Sequence, residues 1–243
     1  MSTKHRQITN DQSSTAGQRP AVTAILPFYN EQKTLLIVVK ALLGARHLSQ
    51  IILVNDGSRD GSVRLLRRYL STHPDPRVEL IDSKLNHGKA AAVGKGLDAA
   101  QHDLILLYDA DMQHAQAELV DRMIEDFWAH DDQLLIAALT DKPLIFKNKL
   151  LDYTSGERMF HKAVLTPYRH LLNDRLGYGL EVLINHLHRK RGIRISYDYG
   201  DLGHIYKNKD HIKPVLRPWA LLKEGVQVAG ALLLLIFIDR WKK

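Results

Sequence analysis

The sequence predicts an α/β protein with a mostly parallel central sheet and helices on both of its faces. Short, almost continuously apolar runs read as strands buried on both faces, and segments of helical period separate them. A polar cluster follows each of the first four runs directly. The 243 residues and 27.7 kDa fit one large α/β domain with tails better than two full domains. A 45% hydrophobic share is enough for a real core.

Residues 22–26 form the first apolar run, ended by Pro27, and predict a buried strand followed by a turn. Over residues 31–43, Leu35, Val38, Val39 and Leu42 recur at helical spacing and mark one inward face. Residues 51–54 predict a second strand, closed by the turn-rich Asn55-Asp56-Gly57-Ser58. In the helix that follows, Val63, Leu66 and Leu70 point inward, and Arg64, Arg67 and Arg68 make a solvated outer face. Residues 78–81 predict a third strand, residues 88–100 an Ala-rich helix, and residues 103–108 a fourth strand. No internal repeat is present. The order β-α-β-α-β-α-β describes a nucleotide-binding unit, and open sheets of this kind bind ligands beyond the carboxyl ends of their strands.

Composition narrows the partners only partly. A net charge of +7 and a pI near 9.5 suit nucleic acid, an anionic membrane or a phosphorylated substrate alike. The absence of cysteine excludes disulfides and thiolate metal sites, and the 13 histidines form no dense ligand cluster. Residues 1–20 are polar, lack an apolar core, and read as a disordered tail rather than a signal peptide or a spanning helix.

The chemistry-bearing residues lie where the strands end. Pro27-Phe28-Tyr29-Asn30-Glu31 follows the first strand, Asn55-Asp56-Gly57-Ser58 the second, Asn86-His87-Gly88-Lys89 the third, and Asp109-Ala110-Asp111-Met112-Gln113-His114 the fourth. Two carboxylates one residue apart can face one divalent cation, with Gln113 as a neutral oxygen ligand. Such oxygen ligands suit Mg2+ or Mn2+, and in isolation the same pair would cap a turn. Asp56 is suited either to a base or ribose or to capping a turn or helix. Gly88 lets the backbone approach a diphosphate, to which Lys89 adds charge.

Taken together, these clusters resemble the family 2 glycosyltransferases of the GT-A fold, over about residues 21–185. The resemblance implies that Pro27, Tyr29, Glu31 and Asp56 line a nucleoside pocket, and that Lys89, Asp109 and Ala110 reach the nucleotide. It further implies that Asp111, with Asp109 and Gln113, holds Mg2+ or Mn2+. The third and fourth motifs look most like those of dolichol- or polyprenyl-phosphate sugar synthases, and Ser155-Gly156-Glu157-Arg158-Met159-Phe160 is similar to their Ser-Gly-x-Arg-x-Phe segment. By that resemblance, Asp111 and Arg158 are the catalytic pair, Arg158 meets an acceptor phosphate, and the donor is GDP-mannose or a UDP-hexose. In isolation, Arg158 would be a surface residue at a helix start.

Members that glycosylate a hydroxyl carry a late Glu-Asp pair to deprotonate it. Gly177-Tyr178-Gly179-Leu180-Glu181-Val182 has none, as suits a phosphate that is already an anion. Glu181 is left as a base, as an orienter of a neighbouring arginine, or as a plain helix-face residue. The segment before Ser155 is short, with 17 residues after Ala137, and offers Lys142, Lys147 and Lys149 in place of arginine. Glu157 stands where the similar enzymes carry phenylalanine.

The expected domain spans residues 21–205, followed by a basic segment and an apolar helix over residues 206–243. His186, His188, Arg189, Lys190 and Arg191 end a helix, and residues 193–197 read as a strand. No recognised nucleic-acid module accompanies this basic stretch, so nucleic acid is not an expected partner. Residues 225–238 hold only Gln227 as a polar residue and are too short to span a bilayer. With Trp219 and Trp241 at the ends and Arg240, Lys242 and Lys243 beside them, the segment fits a helix lying on a membrane, with a partner-binding or core helix as alternatives. Membrane association with the active site on the cytoplasmic side is the expectation.

Overall fold

Strand β1 (Val22–Phe28) is buried at every position, as a strand covered on both faces requires. The computed structural model describes residues 19–129, 134–137, 156–173, 176, 179–190 and 195–198. After β1 come α1 (Leu35–Gly44), β2 (Leu48–Asp56), α2 (Ser62–Thr72), β3 (Val78–Ser83), α3 (Lys89–Ala99) and β4 (Leu104–Leu107). The second half has α4 (Ala117–Ala129), β5 (Leu134–Ala137), β6 (Arg158–His161), the short α5 (Lys162–Leu165), a 3-10 turn (Thr166–Leu171), α6 (Gly179–Lys190) and β7 (Ile195–Asp198). The strands form one sheet in the order β3-β2-β1-β4-β6-β5-β7.

Alternation along the strands divides the core in two. Ala24, Leu26, Leu53 and Leu106 face α1 and α4, where they meet Val38, Leu42, Val120, Met123 and Ile124. Ile25, Ile52, Val54, Ile105 and Leu107 face the other way, onto Ala92, Val93 and Leu97 of α3 and Leu180, Leu183 and Ile184 of α6. Helices therefore cover both faces, as the apolar runs predict. The β3-β2-β1-β4 half is parallel throughout.

Among the boundaries that differ from the sequence expectation, three bear on the site. Pro27 does not end the first strand but sits inside it, opposite Val54. It shares its side of β1 with Ile25, whose carbonyl accepts the Tyr108 N–H, and β4 has already ended beside it. The missing proline N–H therefore breaks no ladder bond. Asn55 and Asp56 are likewise strand residues, because β3 pairs with them as Asp82 and Ser83. Helix α1 starts at Leu35 rather than Glu31, since the Glu31 carbonyl accepts the N–H groups of Thr34 and Leu35 in the turn that opens it.

The sequence reading left residues 134–137 and 158–161 without an element, and they are strands. β6 is antiparallel to both β4 and β5, with Arg158 opposite Leu107. An antiparallel strand begins where its neighbour finishes, so β6 starts at the carboxyl end of β4. That places Gly156 and Glu157 alongside Tyr108 and Asp109. The strand expected over residues 193–197 is β7, parallel to β5. Residues 1–18 of the N-terminal tail, the lysines between residues 138 and 155, and the C-terminal segment from residue 206 lie outside the described residues.

Candidate active site

Hydrogen bonds tie the four strand ends together. The Asn30 N–H donates to Ser58 Oγ (3.0 Å), and Asn30 Oδ1 accepts the Arg59 N–H (2.8 Å). Asn30 is left-handed, with φ 56°, a conformation that asparagine tolerates better than most residues. The Asp56 carboxylate is buried and accepts the N–H groups of His87 (2.9 Å) and Gly88 (2.7 Å). Asp56 therefore neither caps a helix nor closes a turn; it clasps the third cluster onto the second. Gly57 has φ 75°, and a Cβ there would stand 2.5 Å from the Leu85 carbonyl carbon, so glycine is required. Lys89, the first residue of α3, reaches Asp109 at 2.7 Å and joins the third cluster to the fourth.

The period of β4 continues past its end. Tyr108, Ala110 and Met112 are buried in the core, whereas Asp109, Asp111 and Gln113 are only half-buried. The two aspartates and Gln113 therefore share the outer face, with the Ala110 side chain fixed in the core between them. Burial and the nearby Asp111 carboxylate, with smaller contributions from Asp109 and Asp60, push the Glu31 carboxyl up to about 7, against the Thr34 hydroxyl that lowers it. Glu31 thus lies within the field of the aspartate pair, at the edge of a crowded anionic group. Burial, reinforced by Glu157 and Asp109, raises the Tyr108 phenol.

Crowding at Glu31 has a measurable consequence in metal-free buffer. The folded protein holds this proton more tightly than the unfolded chain, so its stabilising contribution is complete below pH 4.5 and is lost as pH rises through about 7. Glu31→Gln should therefore match the wild type near pH 4 and exceed it at pH 8, by about 1 kcal/mol once solvent screening of this half-exposed group is allowed for. Denaturant midpoints across that range check this. A difference independent of pH would remove Glu31 from the aspartates' field.

Arg158, expected at a surface helix start if it stood alone, is instead a fully buried strand residue. Its Nη1 donates to Asn185 Oδ1 (3.0 Å) and to the Glu181 carbonyl (3.4 Å), both on α6. Glu181 is buried as well, and its Oε1 accepts from Lys89 Nζ at 2.7 Å. Of the three roles the sequence left for it, plain helix-face exposure is excluded, and the cation it meets with its carboxylate is Lys89. Gly156 packs so closely on Asp109 that any Cβ would overlap that carboxylate. The Ser-Gly-x-Arg segment and the Asp-x-Asp segment are therefore in direct contact.

The structure brings together Glu31, Asp56, Lys89, Asp109, Asp111, Gly156 and Arg158. Tyr29 stands at the rim, 40% exposed, while Pro27 and the Ala110 side chain are core. Gly156 and Glu181 are the residues that sequence reasoning undervalued. Their signals were a glycine fixed within the Ser-Gly-x-Arg pattern, and a glutamate four residues before Asn185 on one helical face. Among the described residues, no group of three or more acidic or histidine side chains is arranged to hold a metal. The carboxylate crowding felt at Glu31 fits a divalent ion there. Among the described residues no helix is long and apolar enough to cross a membrane.

Comparison with known proteins agrees with this arrangement. Residues 23–187 match the model for glycosyl transferase family 2. An uncharacterized glycosyltransferase of Bacillus subtilis, YkcC, is 30% identical over 65% of this chain and 45% of its own length. An undecaprenyl-phosphate 4-deoxy-4-formamido-L-arabinose transferase of Pseudomonas fluorescens is 34% identical over 40% of this chain and 30% of its own. The chain thus spans less than half the length of these relatives. Glucosyl-3-phosphoglycerate synthase of Mycobacterium tuberculosis, solved with Mn2+, UDP-glucose and glycerol 3-phosphate, superposes with a TM-score of 0.64 at 18% identity, over 96% of this chain and 85% of that one. At that identity the likeness concerns the fold.

Proposed function

The chain belongs to glycosyl transferase family 2, and we propose that it transfers a hexose from a nucleotide-sugar to the phosphate of a polyprenyl or dolichyl phosphate, with inversion. The observation that carries this reading is the contact of Gly156 with Asp109, which joins a Ser-Gly-x-Arg segment to a nucleotide-binding edge. The partial likeness to undecaprenyl-phosphate sugar transferases supports the acceptor. Mannose, carried on GDP, is the first candidate sugar, and a UDP-linked hexose is the other.

In this reading, Asp56 and Glu31 border the nucleoside, Tyr29 lies against the base, and Lys89 faces the diphosphate. Asp111, with Asp109 and Gln113 beside it, would hold Mg2+ or Mn2+, which supplies positive charge against the departing nucleoside diphosphate. An acceptor phosphate oxygen attacks the anomeric carbon from the side opposite the leaving group. The bond to the diphosphate oxygen breaks, and its electron pair stays on the diphosphate. No proton has to move, because the attacking oxygen is already anionic. The lack of an acidic pair near Glu181, and the salt bridge that Glu181 makes to Lys89, agree with a reaction that uses no general base. The basic and apolar residues 206–243 would keep the enzyme at the membrane surface, on its cytoplasmic side, where the lipid tail stays in the bilayer.

Arg158 would meet the acceptor phosphate with a planar pair of donors in a site away from water, where charge-assisted hydrogen bonds are strong. Arg158→Lys keeps the charge and most of the volume but loses the paired geometry. It should raise the acceptor KM about tenfold and leave the donor KM within about twofold. Equal effects on both would remove Arg158 from the acceptor side. The reading as a whole is tested by incubating the protein with GDP-mannose or UDP-glucose, short-chain polyprenyl phosphate and Mn2+, with the product identified by mass spectrometry. A lipid-linked hexose phosphate is expected, and nucleotide binding without turnover on any acceptor would overturn the reading.

A further inference from the structure

Lys89 sits between two carboxylates of very different character. Asp109 and Glu181 each lie 2.7 Å from its Nζ, but the Glu181 side chain is 3% exposed, against 13% for Asp109 and 26% for Lys89. Asp109 lies at the open edge of the sheet, on the outer face that it shares with Asp111. Glu181 lies in the first turn of α6, whose next residues, Val182, Leu183 and Ile184, are locked in the core. Glu181 Oε2 has no hydrogen-bond partner among the described residues, and the Lys89 ammonium on Oε1 is the cation that faces this buried charge. If the ammonium swung out to solvent, a buried carboxylate would be left unpaired, which is strongly unfavourable.

We propose that Glu181 is a positioning residue, a fixed anchor that holds the Lys89 ammonium at the donor diphosphate while Asp109 acts as its exchangeable partner. The proposal rests on the donor-site reading above. A lysine carries a long flexible stem, and fixing its charge beside a ligand costs side-chain freedom unless another contact has already ordered it. With Asp109 alone, a bound diphosphate and Asp109 would compete for one mobile ammonium. With Glu181 beneath it, the ammonium stays in place when Asp109 gives way to the diphosphate. The Glu181 carbonyl also accepts from Arg158 Nη1, so the same residue touches the side that carries the acceptor arginine.

Calorimetric titration of the full chain with UDP and with GDP, each with Mn2+, tests this without any acceptor. If the wild type binds neither nucleotide, the donor-site reading itself falls, separately from the role of Glu181. Where it binds one, Lys89→Ala should weaken binding about thirtyfold and Glu181→Ala about tenfold, and the double variant should be no weaker than Lys89→Ala alone. That non-additivity is what action through Lys89 requires; a merely structural loss would lower the melting temperature and multiply with the Lys89 effect. Losses that multiply, or Glu181→Ala binding within about twofold of the wild type, would overturn the proposal. Should Glu181→Ala fail to fold, Glu181→Gln keeps the size and the acceptor oxygen. It should weaken binding about threefold in the wild type and not at all in the Lys89→Ala background, and equal effects in both would overturn the anchor role.

Discussion

Asp111→Ala should cost at least about a thousandfold in kcat/KM for sugar transfer, equivalent to about 4 kcal/mol of transition-state stabilisation. The residue sits on the outer face of the Asp-x-Asp turn, with Ala110 and Met112 held in the core on either side. Its removal would therefore take away the proposed metal ligand without moving the backbone that carries it. Glu31 makes the variant informative in a second way. Burial is the largest cause of the raised Glu31 carboxyl and Asp111 the next, so the variant should also reduce, without abolishing, the stability loss between pH 4.5 and about 7. Steady-state kinetics against Mn2+ concentration checks the first effect, and denaturant midpoints check the second. Near-normal activity at saturating donor would remove Asp111 from the metal site.

Gly156→Ala should reduce kcat/KM about a hundredfold while the protein still folds. A methyl group at this position meets the Asp109 carboxylate, which is simultaneously held by Lys89. Either Asp109 turns away and releases Lys89, or the start of β6 shifts and takes Arg158 with it. Both outcomes disturb the point where donor and acceptor segments meet, and overpacking of this kind costs about 1–3 kcal/mol in stability. Gly94→Ala is the matched control. The atoms nearest a Cβ there are the guanidinium end of Arg169, the tip of a long, partly exposed side chain that can shift together with its partner Asp98. Its activity should stay within about twofold of the wild type. Equal losses in the two variants would show that Gly156 matters for packing alone.

The parallel half of the sheet was legible because its strands are buried on both faces. The runs ending at Leu26, Val54 and Leu107 are apolar but for Thr23, and the helices between them show a single apolar stripe. Their polar ends could be placed on one edge for the same reason. β5 and β6 were not legible: Arg158–His161 carries two charged or titratable residues and no clear alternation, and the apolar Leu134–Ala137 is too short for its period to separate strand from helix. Tertiary pairing with β4 decides their conformation. Pro27 misled through its usual role as a breaker, because only the strand register shows that β4 has ended beside it. Asp56 and Glu181 were visible as candidates but not in their partners, as each acts on a residue at least 31 positions away.

The central claim is that one sheet edge joins a nucleotide-sugar donor to an acceptor phosphate, with no base to activate a hydroxyl. It is tested most directly by competition between short-chain polyprenyl phosphate and the matching polyprenol, at equal concentration, with Mn2+ and whichever donor turns over. Mass spectrometry then locates the sugar. The expected result is hexose on the phosphate alone, at a rate that the free alcohol does not reduce; hexose on the alcohol, or on both acceptors alike, would contradict it.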